Sequence, residues 1–217
     1  MEVARDFIAR RPNDRFGLVA FSEYALTQSP LTFDHQAVRE QLSLLRVNES
    51  ASATAIGMGL ATAISRLKDS TAKSKVIILI TDGVSNTGVY TPQHAAQVAR
   101  EFGVKVYPIG VGTNGYVNYP IEDPLFGTRY QRMLVELDMK TLDEVAAITG
   151  TGKASQAENK DELGEIMDKI DLLEKTKYTT RISYVWAERF MPFLWAAFLL
   201  LLLEILLRLL VMPVLPE

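Results

Sequence analysis

The chemistry this sequence can offer centres on Asp82. It follows Lys75–Thr81, an apolar run with β-branched residues and no polar alternation, the pattern of a strand buried on both faces at the centre of a parallel sheet. The run ends in Thr81-Asp82-Gly83, so a carboxylate stands just past a strand's carboxyl end, where open α/β sheets bind their ligands. Thr54, earlier in the chain, opens a predicted helix. In a doubly wound sheet both positions fall at the same end, where a hydroxyl and a carboxylate can share one hard divalent cation, magnesium kept partly hydrated. Spacing alone also fits two plainer readings, Thr54 as a helix N-cap and Asp82 as a turn residue.

Other reactive residues carry less. His35 and His94 are isolated, without ligand or triad spacing, and read as helix-surface residues. Gly110-Val111-Gly112 lacks the third glycine and the helix of a dinucleotide fingerprint, and neither Gly-Lys-Ser/Thr nor Gly-x-Ser-x-Gly occurs. A hydrolase or phosphotransferase using Asp82 as nucleophile or metal ligand would need a general base beside it. The loop Thr81–Asn86 holds no His or Lys. With no cysteine, disulfides and thiolate metal sites are excluded, and a net charge of -3 gives no basic field for nucleic acid.

The 217 residues allow one substantial core. Their order predicts a helix over Glu2–Arg11, broken by Arg11-Pro12-Asn13-Asp14, then a buried strand Phe16–Phe21 and a short edge strand Ala25–Leu31 limited by Pro30. Asp34 caps a helix over His35–Leu45, and a second helix runs from Thr54 to Lys68, its small residues allowing close packing on a sheet. After the Asp82 strand come a polar turn, a helix over Pro92–Phe102, a strand Val104–Val111, a punctuated insertion Tyr116–Asp138 with a hairpin arm Tyr130–Leu137, a helix Thr141–Ile148 closed by Gly150, a short strand Lys153–Ser155 and a helix Asp161–Leu173. This alternation indicates an α/β fold, a doubly wound, mostly parallel sheet with right-handed crossovers. The charge run Glu158–Asp171 reads as a solvated helix face.

From Phe190 to Met212 the residues are apolar apart from Glu204 and Arg208, and roughly 23 residues at about 1.5 Å each reach about 34 Å, enough to cross a bilayer. Glu204 and Arg208 lie one turn apart and can pair, and Tyr184, Trp186 and Trp195 fit an interfacial belt. The expected organisation is a domain over 1–175, a juxtamembrane linker over 176–189 and a transmembrane helix over 190–212. Lys175, Lys177, Arg181 and Arg189 favour a cytoplasmic domain by the positive-inside rule.

Phe16-Gly-Leu-Val-Ala-Phe-Ser22, Thr54-Ala-Ile-Gly57 and Val76-Ile-Ile-Leu-Ile-Thr-Asp-Gly83, followed by Val106-Tyr-Pro-Ile-Gly-Val-Gly112, resemble a von Willebrand factor A (VWA) domain from Met1 to about Leu173. With Arg11-Pro-Asn-Asp-Arg15, the small-residue helix after Thr54 and the apolar tail, the chain resembles the aerotolerance (Bat-type) membrane proteins of bacteria. The resemblance implies a Rossmann-like sheet and a metal-ion-dependent adhesion site (MIDAS), in which Thr54 matches the second element and Asp82 the third. It further implies a non-enzymatic protein-binding module of the inner membrane whose cation, Mg2+, takes an acidic side chain of a partner. A MoxR-type AAA+ ATPase and other VWA membrane proteins are the implied partners; the rivals are the enzyme above and a structural subunit with an empty metal site. The first MIDAS element, Asp-x-Ser-x-Ser after a central first strand, finds no match, so that strand is expected to lie upstream of Met1. Asn48-Glu49-Ser50-Ala51-Ser52 imitates it superficially, and also matches a glycosylation sequon, but follows a helix and reads as a loop.

Overall fold

The structure, a computed structural model, describes residues 1–45, 53–112, 115–123, 127–135, 137–174 and 190–211. The chain divides into two units, Met1–Thr176 and Lys177–Glu217.

In the first unit β3 (Lys75–Thr81), β4 (Val104–Val111) and β7 (Ser155–Ala157) form a parallel sheet in the order β3-β4-β7, in register from Lys75↔Val104 to Thr81↔Gly110 and from Ile109↔Ser155 to Val111↔Ala157. Phe16–Phe21 (β1) and Ala25–Thr32 (β2) pair separately and antiparallel, and β5 (Gly115–Asp123) and β6 (Gly127–Val135) form a hairpin after β4. Helices cover both faces, because each turns one apolar stripe inward. On one face α3 (Ile56–Leu67), α4 (Pro92–Glu101) and α5 (Met139–Thr149) bury Ile56, Leu60, Ala96 and Leu142 against Leu79, Val104 and Val106. On the other, α1 (Glu2–Ala9) and α6 (Lys160–Glu174) bury Phe7, Ile166, Met167 and Ile170 with Ile109, and α2 (His35–Leu44) packs Val38 and Leu42 against Ile8. Local signals set the helix ends. Asp34 accepts from Ala37 N–H, Thr91 caps α4 ahead of Pro92, Asp138 accepts from Thr141 N–H, and Gly150 closes α5 at φ 78°.

Several expectations need correcting. The Asp82 strand, β3, is not central: among the described residues it pairs with β4 alone, and Ile80 keeps 38% of its surface exposed. Nor is β1 buried on both faces; none of its six residues is fully buried, although Phe16, Leu18 and Phe21 pack against the core. Both departures have one cause. No ladder joins β1 to β3, so each presents an edge without a described neighbour. His35 is not simply a surface residue, since its Nε2 lies 2.7 Å from Asp14 O and its ring meets Phe16 edge-on. The charge run on α6 is partly engaged: Arg11 Nε donates to Asp171 at 2.6 Å and Nη1 to Asp14 at 2.9 Å, while Arg10 pairs with Asp168. The Asn48–Ser52 segment lies outside the described residues.

The last residue of α6, Glu174, is buried, its side chain only 4% exposed. One carboxylate oxygen accepts from Lys105 Nζ at 2.7 Å and from Tyr107 O–H, the other from Ser74 Oγ at 2.7 Å. Burial pushes its carboxyl pKa up, but the bonds from Lys105, Tyr107 and Ser74 outweigh it and hold it below the usual value. The same burial, and the carboxylate beside it, push the Tyr107 phenol up. The amino ends of β3 and β4 are thereby tied to the end of α6.

The second unit contains α7 (Met191–Val211), whose stretch Met191–Leu209 has a mean hydropathy of 2.1. At about 1.5 Å per residue α7 is about 31 Å long, the thickness of a bilayer's hydrocarbon core. Arg208 pairs with Glu204 one turn away at 3.0 Å, which lowers the cost of placing either charge in an apolar medium. Trp195 meets Phe198 edge-on, whereas Tyr184 and Trp186 lie outside the described residues.

Candidate metal site

Asp82 leaves the carboxyl end of β3 on a tight turn. Thr81, buried, receives the Gly83 N–H on its hydroxyl at 3.3 Å, and the Asp82 side chain points to solvent-exposed space. Thr54 does not cap the following helix. α3 begins at Ile56 with Ala55 as its N-cap and no side-chain cap bond. Instead Thr54 and Asn86 clasp each other: Thr54 N–H donates to Asn86 Oδ1 at 2.8 Å, and Asn86 N–H donates to Thr54 O at 3.2 Å. Ala55 N–H donates to Ser22 O, just past β1, at 2.7 Å.

Small residues let these segments close. A Cβ on Gly83 would stand 3.0 Å from Thr54 Oγ1, which puts the threonine hydroxyl directly against the residue after Asp82. Gly57 on α3 approaches the Tyr90 carbonyl so closely that a Cβ there would lie 1.9 Å from its oxygen. The polar turn after β3 is therefore pinned to Thr54 at Asn86 and to α3 at Tyr90. The His94 ring stacks on Tyr90.

The donor set suits a hard cation. Neither Thr54 Oγ1 nor the Asp82 carboxylate has a hydrogen-bond or ionic partner among the described residues, so both oxygens are available to a ligand. Two oxygens do not fill an octahedral shell, and no group of three or more His, Cys, Asp or Glu with metal-binding geometry occurs among the described residues. Sequence reasoning missed Asn86. Its only trace was membership of a polar turn, because the bond it makes reaches back 32 residues.

The sequence profile of the von Willebrand factor type A domain matches residues 1–169. A protein of Borreliella burgdorferi is 33% identical over 151 residues, covering 69% of this chain and 44% of the relative, so the chain spans less than half the length of the curated relative it matches. The crystal structure of BatB from Bacteroides thetaiotaomicron is similar at 25% identity and a TM-score of 0.63, over 81% of this chain and 88% of that one. Proximal thread matrix protein 1 from the mussel byssus, solved with a zinc-occupied MIDAS motif, shares the fold at 23% identity and a TM-score of 0.56, over 79% of this chain and 42% of that one. The chain belongs to the von Willebrand factor type A domain family, and its likeness within that family is to the Bat-type membrane proteins.

Proposed function

We propose that this chain is a membrane-tethered protein-binding module in which Thr54 and Asp82 supply two ligands of a divalent cation, Mg2+, and an acidic side chain of a partner protein takes an open position on it. One observation carries the reading. The Thr54 hydroxyl and the Asp82 carboxylate, without partners among the described residues, belong to the two residues that match the family's adhesion site, and the Thr54 hydroxyl abuts Gly83. The zinc-occupied site of the mussel protein supports a cation in this fold. A role in binding rather than catalysis is supported by the family and by the composition of the Asp82 turn, which offers no general base. The likeness to BatB and the apolar α7 support a bacterial inner-membrane location, with a MoxR-type AAA+ ATPase and other VWA membrane proteins as partners. The lysines and arginines at 175, 177, 181 and 189 support a cytoplasmic side for the domain by the positive-inside rule.

The test uses the full chain in nanodiscs with an immobilised Asp/Glu-rich peptide. Retention should require Mg2+ and vanish with EDTA. Asp82→Ala should lose at least about tenfold in affinity, about 1.4 kcal/mol, while its melting temperature stays within a degree or two, because an exposed carboxylate contributes little to the core. Mg2+-independent retention, or equal retention by the variant, would refute the reading; phosphate release from a phosphoester would favour the enzyme.

A further inference from the structure

The end of the sheet opposite Asp82 carries a different chemistry. At the amino ends of β3 and β4 an open pocket of about 250 Å3 is lined by Lys73, Ser74, Lys75, Lys105, Leu173 and Glu174. Its carboxylate is already engaged, since Glu174 accepts from Lys105, Tyr107 and Ser74. Lys75 Nζ donates to the neutral Lys68 carbonyl at 3.1 Å, and neither Lys73 nor Lys75 has an ionic partner among the described residues. The stretches 68–75 and 102–105 together with Glu174 hold four lysines against Asp69 and Glu174, and Lys175 and Lys177 follow in the sequence. Large apolar side chains stand beside these charges. α6 turns Ile166, Met167, Ile170 and Glu174 inward, so Leu172 and Leu173 fall outside its packed stripe and are 75% and 70% exposed. Phe102, next to the pocket-lining Gly103, is exposed as well. Lysines around protruding apolar groups are the composition of a surface that meets anionic lipid: the charges attract phosphates, and the apolar groups enter the acyl boundary.

We infer that this end of the domain docks on anionic phospholipid, with a headgroup phosphate in the pocket between Lys73 and Lys75 and with Leu172 and Leu173 entering the boundary between headgroups and acyl chains. Connectivity favours a lipid surface as the occupant. The pocket lies where the chain leaves α6, and 16 residues, 175–190, separate Glu174 from Met191, the first residue of α7. A short tether converts docking into an intramolecular step with an effective concentration in the millimolar range, so a contact too weak to recruit a free domain suffices here. Each lysine that meets an anionic surface is worth about a fivefold gain in partitioning. The seven residues of β3 put its two ends about 20 Å apart, so docking leaves the Asp82 turn open to a partner. The inference rests on α7 lying in a bilayer and is independent of whether a cation binds at Thr54 and Asp82.

The test reads lysine acetylation by mass spectrometry on the full chain in nanodiscs of phosphatidylcholine alone or with about 30% phosphatidylglycerol. Co-elution with the nanodisc reports the anchor separately, and a chain that fails to co-elute overturns the premise. Phosphatidylglycerol should slow labelling of Lys73, Lys75 and Lys105 at least about threefold, and about 0.5 M NaCl should reverse the effect. Lys140, at the opposite end of the sheet where Met139 packs on Gly110, should label alike in both lipids. Lys73→Gln with Lys75→Gln should return Lys105 to its rate in neutral lipid, and Leu172→Ser with Leu173→Ser should weaken the protection of all three lysines. Equal labelling in the two nanodiscs, protection that spreads to Lys140, or protection that persists undiminished in either variant would overturn the inference. So would equal slowing by millimolar inorganic phosphate in neutral nanodiscs, which would make the pocket a site for a free anion.

Discussion

Replacing Glu174 probes how α6 is fastened to the sheet. The carboxylate accepts from Lys105, Tyr107 and Ser74 in a site where it is 4% exposed, while the Lys105 side chain is 49% exposed. The exposed half of the ion pair is screened and contributes about 1 kcal/mol or less. The two hydroxyl bonds to a charged acceptor add about 1–2 kcal/mol each, and truncation leaves space beside Tyr107. Glu174→Ala should therefore cost about 2–4 kcal/mol, a drop in melting temperature of roughly 5–12 °C for a domain of this size. Glu174→Gln keeps the shape, can still accept from one hydroxyl, and should cost about half as much.

Acid separates charge from packing in the same assay. The folded pKa of Glu174 is lowered below its ordinary 4.5, so its contribution is complete above that value and is lost as the pH falls through the folded pKa. The gap in melting temperature between wild type and Glu174→Gln, followed by circular dichroism, should be constant from pH 7 to about 5 and should shrink below 4.5. A gap that persists undiminished at pH 3, or an alanine variant as stable as wild type, would refute the account.

Other perturbations follow from the same contacts. Gly57→Ala drives a Cβ into the backbone carbonyl of Tyr90, which cannot rotate away, and should cost more than about 2 kcal/mol in guanidinium titrations while displacing the turn behind Asp82. Arg11→Met removes the cation shared by Asp14 and Asp171, both largely shielded, and should cost about 2–4 kcal/mol with little dependence on added salt; an exposed pair such as Lys160 with Glu2 should instead be salt-sensitive. α7 should keep the whole chain in the membrane pellet through carbonate washing, and recovery of the chain in the supernatant would exclude a spanning helix.

Helix ends were legible where Asp34 caps α2, Pro92 opens α4 and Gly150 closes α5, each signal acting within a few residues of itself; Asp138, read as the end of the insertion, caps α5 two residues before the expected start at Thr141. Burial was legible less well, because it depends on neighbours distant in sequence. Lys75–Thr81 and Phe16–Phe21 have the composition of interior strands, and among the described residues each pairs along one edge only. Their composition still describes the environment they are built for. The short β7 lies two residues later than its sequence suggests, at Ser155–Ala157, where pairing to Ile109–Val111 fixes the register that composition leaves open.

For the candidate site, the two readings of Thr54 compete for the same oxygen. A threonine that caps a helix turns its hydroxyl oxygen to a backbone N–H of the first turn, and that lone pair is then occupied. Here other groups take up the backbone near the start of α3. Ser22 O receives Ala55 N–H and Asn86 Oδ1 receives Thr54 N–H, so satisfying the local backbone does not draw on the hydroxyl. Asn86 is thus the residue on which the site's chemistry turns, although it ligates nothing in this account. Its side chain and its own N–H fix Thr54 against the turn that carries Asp82, and they do so across 32 residues of sequence, where no pattern of period 2 or 3.6 could reveal it. Asp82 was visible from its place after an apolar run, Thr54 from its place before a small-residue helix, and the link between them only from the fold.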